Sequence, residues 1–124
     1  MIKKKLLKKG QVLKIPIFNN EYSVYVVYGD LTDVKRALKK CGYDEKSIDT
    51  LDGYQGFCFS GNNRHPLITL RQKPTTAASI GCLVHEATHS IERIFGYIEQ
   101  PIGDEIFAHS IEAIVRETLK AIGK

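Results

Sequence analysis

Residues 83–94 read Leu83-Val84-His85-Glu86-Ala87-Thr88-His89-Ser90-Ile91-Glu92-Arg93-Ile94, and the arrangement of the whole chain follows from how this stretch folds. Ile80, Val84, Ala87, Ile91 and Ile94 recur at helical spacing, so the segment is expected to be a helix packing one apolar stripe on a sheet. Cys82, His85, His89 and Glu92 form a neighbouring stripe. Two histidines four apart lie on one face, one turn above the other. Their imidazoles can share one small cation, and Zn2+ suits neutral imidazole best. Glu86 points to the side of that face, within reach of a water on the metal.

Working outward, Pro74-Thr75-Thr76 opens the helix, with a threonine as N-cap and Ser79 in the first turn, and the helix is expected to end near Gly96. Upstream, residues 12–18 read as a short strand that Pro16 places at an edge or strand end. Asn19-Asn20-Glu21 signals a turn, and the β-branched and aromatic residues 22–28 form a second strand, completing a hairpin. Asp30 or Thr32 caps a helix carrying Leu31, Val34, Ala37 and Leu38, which Gly42 ends. Residues 43–53 are polar and predict a loop with at most a short helical turn. Gly56–Ser60 is a third strand, Gly61-Asn62-Asn63 a turn and Pro66–Arg71 a fourth strand. Beyond the linker from Tyr97 to Gly103, with Pro101, a last helix runs from about Asp104 to Ala121. Ile106, Phe107, Ile111, Ala113, Ile114 and Leu119 are expected to bury, while Glu105, His109, Glu112 and Arg116 share a polar face. The expected class is α+β: a small, mostly antiparallel or mixed four-stranded sheet against about three helices.

The 124 residues suit one domain, and 43% hydrophobic with 26% charged residues is a globular balance rather than a disordered one. No apolar run is long enough to span a membrane. The basic start, Met1 to Lys9, lacks the apolar segment of a secretory signal, and Cys41, Cys58 and Cys82 read as reduced thiols; a cytoplasmic location is expected. Five of the 13 lysines fall in the first nine residues. Such an arm can contact nucleic-acid phosphates but at a chain end reads first as a solvated, loosely ordered tail, here residues 1–10.

His85-Glu86-x-x-His89 is the H-E-x-x-H arrangement of zinc hydrolases. A catalytic zinc takes three protein ligands and a water. A third histidine six residues after His89 is excluded, because Phe95 stands there. Glu105, at the start of the following helix, is the expected third ligand, with His109, one turn on, as the rival. Fully polar faces on two facing helices also call for something bound between them.

Leu83 to His89, followed by Gly103-Asp104-Glu105-Ile106-Phe107-Ala108-His109, resembles the compact zincin-like metallopeptidases carried by phages and prophages, minimal proteins of the gluzincin type. Lys14–Phe18, Val24–Asp30 and Leu67–Arg71 resemble that family's strands, so the likeness covers about residues 11 to 118. It implies an active helix packed on a small sheet, Glu105 as third ligand, and peptidase chemistry on a peptide or protein substrate. The chain departs from the family at His109, where an aromatic such as tyrosine is expected. His109 is therefore open as ligand, outer partner or stabiliser of the oxyanion, ahead of Tyr97 and His65 in that last role. The expected mechanism has Glu86 as general base toward a zinc-activated water. By analogy, residues 55–60 form the sheet edge on which an extended substrate would lie. A zinc-containing but inactive protein-binding module is the first alternative, and a nucleic-acid-associated protein using the basic start is the second.

Overall fold

The structure, a computed structural model, describes residues 5–18, 21–49, 51, 53–59, 65–98 and 103–124. Eight elements follow in the order β1 (Leu13–Ile17), β2 (Tyr22–Tyr28), α1 (Leu31–Lys40), α2 (Glu45–Asp49), β3 (Gly56–Phe59), β4 (Leu67–Leu70), α3 (Ala77–Ile98) and α4 (Asp104–Ala121). The α+β class is as the sequence implies: a small four-stranded mixed sheet with three long helices, plus the five-residue α2 in the Asp-rich segment. The expected turns at Asn19-Asn20 and Gly61-Asn62-Asn63, and Pro101, lie outside the described residues.

Strand order is β1-β2-β4-β3. β1 and β2 form the hairpin, antiparallel from Leu13 opposite Val26 to Ile17 opposite Tyr22. β2 runs parallel to β4, and β3 closes the sheet antiparallel to β4, with Gly56 opposite Leu70 and Phe59 opposite Leu67. Pro16 therefore sits on an edge strand, where its missing N–H costs no ladder bond. β3 is the other edge.

The sheet is covered on both faces. Ile15, Ile17, Val24, Val26, Tyr28, Ile68 and Leu70 pack against Leu83, Ala87, Ile91 and Ile94 of α3 and Ile114 of α4. On the opposite face Val27, Phe59 and Leu67 pack against Val34, Ala37 and Leu38 of α1, with Ile48 of α2 and Leu51. Double coverage explains why the central strands read as near-continuous apolar runs, and every residue of β4 is buried.

Expected burials on two helices are corrected. The stripe of α3 on the sheet is Leu83, Ala87, Ile91 and Ile94; Val84 is 38% exposed and Ile80 only partly buried. On α4, Ile106 is 54% exposed, and Ser110 and Thr118 are buried beside Ile114 instead. Each buried hydroxyl donates to the carbonyl one turn back, Ser110 to Ile106 at 2.8 Å and Thr118 to Ile114 at 2.7 Å, so neither is left unpaired. α3 also runs to Ile98, past Gly96.

Candidate metal centre

α3 starts on a reciprocal cap. The Ser79 backbone N–H donates to Thr76 Oγ1 at 3.1 Å, and the Thr76 N–H donates to Ser79 Oγ at 2.9 Å. This satisfies two end groups and sets where the first turn begins. With the start and the buried row both set, the helix has one rotation about its axis. That rotation leaves His85 exposed and His89 partly exposed, and turns Glu86 inward, only 6% exposed.

The imidazoles of His85 and His89 stand edge to face, with centroids 4.7 Å apart and planes at 83°. Their Nε2 atoms face one another at 3.2 Å. A tetrahedral zinc with Zn–N bonds near 2.0–2.1 Å separates two ligand nitrogens by roughly 3.3 Å. The pair is therefore already spaced as two ligands of one such ion. Glu86 joins it: the ligand atoms of His85, Glu86 and His89 lie within 4.8 Å of one another.

Glu86 is held between α3 and the edge strand. A Cβ built on Gly56 of β3 would lie 2.4 Å from Cys82 Sγ, 3.3 Å from Glu86 Cγ and 3.4 Å from Glu86 Oε2. Only a residue without a side chain lets the helix approach this closely. One turn on, Ser90 Oγ and Cys58 Sγ are 3.3 Å apart, tying β3 to the same face. Burial raises the Glu86 carboxyl above its usual range, and His85 and His89 oppose that shift. Burial, then Glu86, also raises the Cys82 thiol. Cys82 is not among the grouped ligand atoms of His85, Glu86 and His89. It lines a pocket of about 180 Å³ with Gln55, Leu70, Gln72, Ala78 and Ser79.

α4 contributes a different arrangement. Glu105 does not join the histidine group; its Oε2 lies 3.3 Å from His109 Nε2. His109 Nδ1 in turn lies 3.8 Å from Glu112 Oε2, and Glu112 accepts from Arg116 Nη1 at 3.1 Å. The four residues share one face, as their spacing predicts, but that face is exposed and pairs along itself. It therefore needs no bound ion to compensate it, which removes the argument from buried unpaired charge. Val84 of α3 lines a groove with Ile111, Glu112, Val115 and Leu119 of α4, and the end of the chain returns to the start of α3, where Lys124 Nζ donates to the Thr75 carbonyl at 3.0 Å.

Of the other expected residues, His65 is occupied elsewhere: its Nδ1 accepts the backbone N–H of Ser23 at 3.2 Å, at the start of β2. The side chain of Tyr97 and residues 1–4 lie outside the described residues. His89 has a partner on its own helix, Glu92, which the sequence placed on the same stripe as a surface or outer residue: His89 Nδ1 lies 3.3 Å from Glu92 Oε1. The three-residue spacing on a helix was the signal for it. No helix among the described residues is long and apolar enough to cross a membrane. No family model matches this chain, and neither does any curated protein or solved structure.

Proposed function

We propose that this chain is a zinc-dependent peptidase in which His85 and His89 hold the metal, Glu105 completes the ligand set and Glu86 is the general base. The observation that carries the reading is the 3.2 Å separation of the two facing Nε2 atoms beside a buried carboxylate. For Glu105 to ligate, its exposed side chain must exchange His109 for the metal and α4 must bring it to the histidine pair.

A bound zinc supplies Lewis acidity toward water and toward a carbonyl oxygen. Glu86 accepts a proton from the attacking water as its oxygen bonds to the carbonyl carbon. It then gives the proton to the leaving nitrogen as the C–N bond breaks. A carboxyl raised by burial is a better base for this task than a solvated one. An extended peptide would add to β3, the edge strand whose Gly56 packs against Glu86. His109, freed from Glu105, would be the donor to the developing oxyanion.

The test is cleavage of a mixed peptide library by the zinc-loaded protein, read by mass spectrometry, for wild type and Glu86→Gln. Wild type should cleave, and the variant should keep zinc and lose on the order of 10²–10⁴-fold in rate. Equal cleavage by both would remove Glu86 as base. A second reading, a zinc-holding protein-binding module without catalysis, is favoured by the pairing of Glu105 with His109 rather than with the histidine group. Zinc bound by both proteins with no cleavage by either would select it.

A further inference from the structure

The two histidines are not equivalent. His89 has a carboxylate on its far nitrogen, Glu92 Oε1 at 3.3 Å from Nδ1, while its Nε2 faces His85. A carboxylate only accepts hydrogen bonds. The carboxylate beside Nδ1 favours the neutral His89 tautomer protonated there, which leaves the Nε2 lone pair free. The 3.2 Å contact between the two Nε2 atoms then requires the proton on His85 Nε2 in the metal-free protein. That His89 tautomer is the one ligation through Nε2 needs. His85 must move its proton from Nε2 before its lone pair can be used.

We propose that Glu92 is the positioning residue of this site, presetting the tautomer and ring orientation of His89 for metal binding. The proposal rests on the metal-binding reading above and deepens it. An outer carboxylate of this kind fixes the ring and raises the donor strength of the ligating nitrogen, and its loss typically costs 10–100-fold in metal affinity. Glu92 reaches His89 from the next turn of the same helix, so the pair forms with α3 and needs no movement of α4.

Two measurements on the full chain test this, at a pH well above the ordinary histidine value of about 6.5. The first is ¹⁵N–¹H correlation of the imidazole rings in the metal-free protein. Wild type should show His89 protonated on Nδ1 and His85 on Nε2. Glu92→Ala should release His89 from that tautomer. Glu92→Gln, which keeps an oxygen acceptor, should largely retain it. The second is zinc affinity by chelator competition, which should fall 10–100-fold in Glu92→Ala and less in Glu92→Gln. A helix-surface ion pair acting only on stability would move neither the tautomer nor the affinity beyond a small change in Tm. His89 protonated on Nε2 in wild type, or unchanged zinc affinity in Glu92→Ala, would overturn the proposal. If wild type binds no zinc, the metal-binding reading fails, and Glu92 as a metal-positioning residue falls with it. The ring spectra then report separately whether Glu92 orients His89.

Discussion

Glu86 is the residue on which the proposed chemistry turns, and its burial makes a prediction that needs no substrate. Its carboxyl is raised above the usual 4.5, chiefly by burial. A group raised on folding contributes its full stability below its unfolded value and loses it as pH rises through the folded value. Ionised Glu86 is therefore a cost to the metal-free fold at neutral pH. Glu86→Gln should melt a few degrees above wild type at pH 7, and the difference should vanish below about pH 4. Differential scanning calorimetry across that range checks it; a variant less stable at pH 7 would mean that the carboxylate is compensated by a partner. The position of His85-Glu86-x-x-His89 could be read from the sequence, but the inward turn of Glu86 could not. Leu83 and Val84 both fall into register with Ala87 and Ile91, and the two candidate stripes differ by one residue, about 100° of rotation. Packing selects the Leu83 stripe, and with it the direction of Glu86.

α3 depends on its start and on its contact with β3. Thr76→Ala removes the arm in which Thr76 Oγ1 accepts from the Ser79 N–H, leaves the Thr76 N–H to Ser79 Oγ arm in place, and should cost about 0.5–2 kcal/mol in denaturant unfolding. Gly56→Ala sets a methyl 2.4 Å from Cys82 Sγ, so helix and strand must separate, at about 1–3 kcal/mol. Cys82→Ala removes the obstructing sulfur. The double variant Gly56→Ala/Cys82→Ala should therefore be more stable than the sum of the single changes predicts, and strict additivity would show that the contact is not the source of the strain. The strands were legible because each carries its own mark: β-branched and aromatic residues in β2, and Pro16 on an edge. The expectation for α4 succeeded in its limits and its polar face but failed at Ile106. An apolar side chain at a helix start follows the periodic pattern without having a neighbour to cover it.

Two cores, one on each side of the sheet, make the molecule three layers deep. The sequence implied the class and the four strands, and the continuous apolar runs of β2 and β4 carried the second layer as well, since a strand open to water on one side alternates. What local pattern could not supply is how α4 stands against α3, because that depends on side chains meeting across a gap rather than on periodicity. The reading of the α3 motif as a zinc centre nevertheless depends first on α3 itself, through the facing Nε2 atoms of His85 and His89. The most direct measurement is zinc stoichiometry and affinity of the untagged chain at neutral pH, by elemental analysis and chelator competition, for wild type, His85→Ala, His89→Ala and Glu105→Ala. One zinc per chain in wild type, abolished in either histidine variant and weakened in Glu105→Ala, is the predicted result. No zinc in wild type, or zinc retained when His85 or His89 is removed, would contradict it.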